Sequence, residues 1–584
     1  MNDGFETTQQ EYLKGFFAGI EARRSAAGLT LAPEGTAAAG AADPADPMRA
    51  AQDRVLASGG RLTPEEDAKR ARHPLDRLDE MAVRAAGGVP PRGADVFLAK
   101  YHGLFYVAPA QASFMCRLRL PGGIVSAAQF RGMAAIADDL AAGHADITTR
   151  ANLQLREIPP GNAVEVLNRL AELGLTARGA GADNVRNVTG SPTAGIDPAE
   201  LIDTRADARA IHWHIMNTKA LYGLPRKFNI AFDGGGRVPV LEETNDIAFT
   251  AVRVAGEVAY RLALGGITGH RDLARATDVV VRLGETTALC DAILRVFIAE
   301  GDRTDRKRAR LKYVLDRLGL PAFLGRVEAE LGSALTRVDA AAIAPRAALD
   351  RMGHIGVHPQ RQPGLSYLGV ALPAARMGSD QMRGLADVSE RFGSGVIRLT
   401  VWQNLLVSDV ADPDGARAAL DALGLATEAS HVRAGLVSCT GSAGCKFALA
   451  ATKAHGVALA AHLDARMTAP APVNIHLTGC PNSCAQHFIA DIGLLGARVE
   501  RGDETVDGYD LHVGGGTGTH AAIGRLLWPG MAADEMAPMI EALLRAWSDE
   551  RAGDESFKDW SARHDDAALA ARLQAGRPAA RLGA

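Results

Sequence analysis

The sequence is short of the features that mark several large protein classes. Its net charge over 584 residues is only −4, from 64 Lys and Arg against 68 Asp and Glu. That balance argues against a dedicated nucleic-acid binder, whose domains are strongly basic. No apolar run reaches the roughly 18 residues a membrane helix needs. The opening residues, MNDGFETTQQEYLKGFF, are acidic and amphipathic, which fits neither a secretory nor a transit signal, so a cytoplasmic chain is expected. None of the 16 histidines falls in an HExxH pattern. GGGTG at 514–518 lacks the GxGxxG spacing and is read as a structural turn. What remains is globular in composition, 47% hydrophobic and 23% charged, and long enough for three or four domains of about 150 residues.

Cysteine is scarce too, and its distribution is informative. Of six cysteines, Cys116 and Cys290 stand alone and read as small core residues. The other four, Cys439, Cys445, Cys480 and Cys484, fall close together. In a reducing compartment such a group reads as a metal or redox site rather than as disulfides. Four thiolates hold a [4Fe–4S] cluster or a tetrahedral zinc ion. Structural zinc favours two short, matched spacings, so C-x5-C followed by C-x3-C favours the cluster. Zinc is the alternative, and four unrelated core cysteines the third reading. Gly441, Gly444, Gly479 and Pro481 suit turns that aim backbone N–H groups at sulfur.

The chain also repeats itself. Residues 114–155 align without gaps on 366–407. Leu120-Pro121 falls on Leu372-Pro373, Gln129 on Gln381, Arg131-Gly132 on Arg383-Gly384 and Asn152 on Asn404. Each copy reads strand, turn at proline, helix, strand, with Ser126 and Gln129 forming a capping box in the first. Further on, Thr189-Gly190-Ser191 echoes Thr440-Gly441-Ser442, Asn229-Ile230 echoes Asn474-Ile475, Asp246-Ile247 echoes Asp491-Ile492, and GGITG at 265–269 echoes GGGTG. A tandem duplication with pseudo-two-fold symmetry follows. Where the copies differ, the first carries extra cations. Strand alternation places Arg117 with Arg119, and Arg150 with Asn152, Gln154 and Arg156. Arg186, Lys227 and Asn229 accompany them, which points to an anion-binding cavity. The run RTDRKRARLK at 303–312 reads alone as a solvated helix face, or as a group serving carboxylates or an acidic partner. Residues 1–30 read as an amphipathic helix built on Tyr12, Phe16, Phe17 and Ile20, and 31–60 as an Ala/Gly/Pro-rich linker or a loosely packed surface wrap, with the ordered core starting near Val96.

SCTGSAGC at 438–445 and LTGCPNSC at 477–484 resemble the siroheme and [4Fe–4S] signature of the nitrite/sulfite reductase family. The likeness runs in order through FMCRLRLPGG, TTRANLQLR, DNVRNVTGSPTAGIDP, LPRKFNIAF, RTDRKRARLKY and LTVWQNLLV, over roughly residues 95–550. It implies an α+β chain of three α/β domains with an internally duplicated fold. An N-terminal extension would cover 1–95. Ferredoxin-like half-repeats 96–175 and 355–428 would pair into one domain, with siroheme- and cluster-binding domains at 176–345 and 429–584.

The resemblance also implies roles. Cys439, Cys445, Cys480 and Cys484 would ligate the cluster, with Cys484 bridging to the siroheme iron. Arg117, Arg186, Lys227 and Asn229 would face a small oxyanion substrate. Arg119, Arg150, Gln154, Arg226, Arg310 and Asn482 would line the macrocycle and its eight carboxylates, which arginine forks bind well. Asn229 stands where sulfite-reducing members usually carry lysine, so nitrite is the expected substrate and sulfite the alternative. Leu153 departs from the tryptophan often found in nitrite-reducing members. The oxygenase of corrin synthesis fits the full set of cations less well. No flavin or nicotinamide module is visible, so ferredoxin (or flavodoxin) is the expected donor, to a monomer that binds neither membrane nor nucleic acid. A zinc-stabilised protein without redox chemistry is the rival from another class.

Overall fold

In the computed structural model, residues 46–107 and 111–578 are described; the expected helix over 1–30 lies outside them. Order begins earlier than Val96. Helices Asp46–Ala57, Pro64–Ala71 and Leu78–Ala86 pack on the body of the protein, and Met48 joins a buried apolar cluster. From Asp46 onward the segment is therefore not a linker, and of the two expectations the surface wrap is the one it fits. An alanine-rich helix with one thin buried stripe has the composition of a linker, and only its packing reveals it.

The duplication is visible strand by strand. Helices Ala127–Leu140 and Ser379–Phe392 occupy equivalent positions, and the first begins with the expected Ser126–Gln129 capping box. Each half-repeat forms a five-stranded sheet, and each sheet borrows an edge strand from the other copy. Arg376–Gly378 pairs antiparallel with His144–Thr148, with Arg376 opposite Asp146. Ile124–Ser126 pairs with Val396–Leu399, with Ile124 opposite Arg398. The two registers are the same pairing carried through the repeat. One apolar core, running from Phe114 to Val410, contains side chains of both copies, so the halves make a single body.

Two more sheets share a second topology. In each, three strands run parallel and two antiparallel strands follow. The first consists of Thr189–Gly190, Ile230–Asp233, Ile247–Val254, Glu257–Leu264 and Arg275–Val281. The second consists of Leu436–Ser438, Ile475–Thr478, Ile492–Arg501, Glu504–Val513 and Arg525–Ala532. Asn229 and Asn474 precede equivalent strands, and each donates its backbone N–H to an aspartate, Asp246 or Asp491. Cys116 and Cys290 are buried core residues, as expected.

The N-terminal helices reach the interior through charge. Lys69, fully buried, bonds Glu66, donates to the Leu224 carbonyl at 2.9 Å and lies 3.5 Å from Asp183. Arg303 holds the other Glu66 oxygen at 2.7 Å, and Arg306 clasps both oxygens of Asp183. A buried network survives only when every charge has partners; removing one member leaves the rest uncompensated. Lys69→Met is expected to loosen the Asp183–Arg186 segment by about 3 kcal/mol. Native-state hydrogen exchange of its amides should accelerate about a hundredfold.

Candidate cofactor and anion site

A cavity of about 570 Å³ lies where both half-repeats and both mixed sheets meet, within the size range of cofactor sites. It contains all four clustered cysteines together with Arg117, Arg150, Gln154, Arg186, Arg226, Lys227, Asn229, Arg310 and Asn482. The two mixed sheets contribute from opposite ends. Cys439 and Cys480 follow the C-terminal ends of parallel strands Leu436–Ser438 and Ile475–Thr478, the usual place for function in such sheets. Arg186, Lys227 and Asn229 instead precede the strands that begin at Thr189 and Ile230.

Arg117 ends strand Phe114–Arg117, opposite Gln154, and stacks 4.6 Å from the centre of the Phe105 ring. Arg186 donates to the carbonyls of Ala180 at 2.7 Å and Ala182 at 2.8 Å, which fixes its fork. Arg150 donates to Asn245, and Arg310 to Asp246 at 2.7 Å, leaving its buried Nε without a partner. With its amide turned to satisfy its neighbours, Asn229 accepts from Arg150 at 3.0 Å and Arg310 at 3.3 Å.

Arg119 is not part of this cavity. The strand stops at Arg117, so alternation does not extend to the next arginine. Arg119 is fully buried elsewhere, donating to the carbonyls of Gly179 and Val185. Among the basic residues of the run at 303–312, only Lys307 and Arg308 are exposed. Arg303 is interior, while Arg306, Lys307 and Arg310 line the cavity. Sequence reasoning missed Lys100, Lys446 and Lys453, and it read GGITG only as the echo of a structural turn, whereas its Ile267, Thr268 and Gly269 form part of the wall. Lys446 was legible as the neighbour of Cys445. Lys100 and Lys453 carried no motif.

The electrostatics are one-sided. Among the described residues the lining holds twelve Lys and Arg side chains and a single carboxylate, Asp146. Burial, with Arg117 beside it, pushes Arg186 well down from its ordinary value. Burial and Arg310 do the same to Lys227, although Cys484 opposes the shift. An arginine stays charged under such a shift, so the cost appears as stored repulsion. A ligand with several carboxylates removes it.

The cysteines fit an iron–sulfur cluster. Gly479 N–H points at Cys439 Sγ from 3.2 Å, a bond that favours the thiolate. One zinc ion needs four sulfurs about 3.8 Å apart, and among the described residues no three Cys, His, Asp or Glu side chains gather round one ion-sized point. A cubane spaces its ligands more widely. The donor set, the unpartnered Arg310 Nε and the cationic lining together fit a [4Fe–4S] cluster beside a polycarboxylate macrocycle.

Burial lowers Lys100 to about 8, while a lysine in unfolded chain titrates near 10.4. Between those values the unfolded state binds more protons, so stability rises with pH. The thermal midpoint of cofactor-free protein is expected to climb from pH 8 to pH 10, and Lys100→Met to flatten that climb.

Comparison with known proteins agrees with this geometry. The nitrite and sulphite reductase 4Fe-4S domain matches residues 181–335 and 429–565, and the ferredoxin-like half domain matches 108–173 and 358–422. The chain is 38% identical to a ferredoxin–nitrite reductase of Leptolyngbya laminosa, over 76% of this chain and 88% of that protein. It is 34% identical to a ferredoxin sulfite reductase of Mycolicibacterium paratuberculosis, over 78% and 83%. The solved structure of Mycobacterium tuberculosis NirA superposes with a TM-score of 0.82 at 30% identity, covering 88% of this chain and 99% of that one. With four segments matched by the family's models and relatives at 30% identity or more over most of both chains, the chain belongs to the nitrite and sulphite reductase family.

Proposed function

We propose that this chain reduces nitrite to ammonium, with siroheme and a [4Fe–4S] cluster as cofactors and ferredoxin, or flavodoxin, as donor. The carrying observation is a cavity with twelve cations and one carboxylate into which the four cysteines converge. Nitrite takes up six electrons and eight protons, giving ammonium and two waters. When bound, the siroheme offers an open iron position and, with the cluster, the path for electrons.

The chain's own groups supply charge, order and protons. Cys439, Cys445, Cys480 and Cys484 would hold the cluster. Cys484, the exposed member of the four, would be the one shared with the siroheme iron. Arg150, Gln154, Arg226, Arg310 and Asn482 would hold the macrocycle and its carboxylates. Arg117 and Arg186 bind the substrate's oxygens with forks preset by Phe105 and by two carbonyls. An entering anion opposes the downward shift of Lys227 and favours its charged form, so that Nζ is placed to hold a proton beside the reacting oxygen.

Asn229 favours the singly charged anion. Its amide oxygen accepts from two arginines and adds no charge, whereas a lysine there would add a cation for sulfite. Lys446 beside Cys445, with the exposed Phe447 ring 5.2 Å from its Nζ, supports docking of an acidic donor near the cluster. Four clustered cysteines assigned to a cluster rather than to disulfides support a cytoplasmic location, and among the described residues no helix is long and apolar enough to cross a membrane. The internal two-fold core supports a monomer. The four sheets and the matched segments support the division into 96–175 with 355–428, 176–345 and 429–584.

Steady-state assay with reduced methyl viologen tests the substrate: kcat/KM for nitrite should exceed that for sulfite, and the reverse order makes the chain a sulfite reductase. Asn229→Lys is expected to shift that ratio toward sulfite on the order of tenfold; an unchanged ratio removes Asn229 as the discriminator. With ferredoxin as donor, turnover should fall as ionic strength rises, and insensitivity to salt would count against charged docking.

A further inference from the structure

Arg156 is one of the twelve cations of the cavity, but none of the substrate, siroheme or cluster-ligand roles above falls to it. It lies on strand Asn152–Ile158 of the first half-repeat and is 3% exposed. Its guanidinium crosses to the cysteine-bearing domain. One nitrogen donates to the Gly444 carbonyl at 2.6 Å; the other donates to Thr440 Oγ1 at 3.3 Å and Gln154 Oε1 at 3.1 Å. Thr440 follows Cys439 and Gly444 precedes Cys445, so one side chain ties this cysteine loop at both ends. A Cβ on Gly444 would lie 2.8 Å from the guanidinium nitrogen, so a larger residue there would displace the guanidinium. Behind it, Asp146 lies 4.0 Å from Nε and also pairs with Arg376 and Lys453.

The repeat contains its own control. Arg398, at the position equivalent to Asp146, donates to the carbonyls of Pro192 at 3.2 Å and Ala194 at 2.7 Å. Its Nε donates to Ser408, the equivalent of Arg156. The same clamp thus holds the TGS loop of the first copy, with the arginine moved to the facing strand. That loop carries Val188 and Ala194 where the second copy carries Cys439 and Cys445. In the first copy the clamp only builds a loop. In the second it also fixes a permanent cation beside two thiolates.

We infer that Arg156 is a positioning residue that sets the reduction potential of the cluster. The inference rests on the [4Fe–4S] reading above. Uptake of one electron adds one negative charge to the cluster, and a buried guanidinium tied to both ends of the loop that carries two of its ligands stabilises that reduced state.

The test compares wild-type holoenzyme with Arg156→Gln, Arg156→Lys and Arg398→Gln. The readouts are iron and sulfide content and an EPR-monitored redox titration of the cluster. Arg156→Gln is expected to disfavour cluster reduction at least tenfold, which is 59 mV for a one-electron couple. Arg156→Lys, retaining the charge, should recover most of that loss. Arg398→Gln should lower thermal stability without moving the potential. An unchanged potential in Arg156→Gln, or an equal shift in Arg398→Gln, overturns the inference. If Arg156→Gln holds no iron, Arg156→Lys decides: loaded with a near-wild-type potential it supports the role, and equally empty it overturns it in favour of loop building alone. Wild-type protein without iron would instead sink the cluster reading itself.

Discussion

Like charges held close together in a poorly solvated space are the constraint on which the rest of this structure depends. Twelve cations surround one cavity with a single carboxylate among them. Left to themselves they would separate, so each has to be held from behind. Arg186 is held by two carbonyls, Arg310 by Asp246, Arg306 by Asp183, and Asp183 in turn by Lys69. The N-terminal helices therefore belong to the site's support, although none of their charged residues lines it. The near-zero net charge of the chain conceals this separation of sign.

Symmetry explains how two such unlike chemistries share a wall. Two copies of one sheet face a common space and contribute from opposite ends. One offers the turns after its strands, where the cysteines sit; the other offers the approaches to its strands, where Arg186, Lys227 and Asn229 sit. Duplication supplied the frame, and divergence placed cations in one copy and thiols in the other. The two half-repeats join beneath as a single core, so the geometry between the copies is as rigid as a domain interior.

Much of this was legible in the sequence because the repeat preserves register. The ungapped alignment of 114–155 with 366–407 predicts equivalent helices, and Ala127–Leu140 and Ser379–Phe392 meet it residue for residue. The cysteines and most cations were legible as motif residues. Arg119 was misplaced because alternation holds only while a strand lasts, and this strand ends two residues earlier. The helix at Asp46–Ala57 was missed because its signal is burial of Met48 and Gln52, which composition does not reveal. Lys100 and Lys453 reach the cavity through tertiary packing alone, so no local pattern announces them.

The exchanged edge strands carry a consequence for how the molecule is made. During synthesis the strand His144–Thr148 exists long before its neighbour Arg376–Gly378 has been translated. Until then the nascent first half presents an open sheet edge, the kind of surface that invites wrong pairing. The contact that closes it is among the most distant in the chain, which slows folding and lengthens exposure. A ribosome must deliver about two-thirds of the protein before either sheet is complete, so the early edge stays open for most of synthesis.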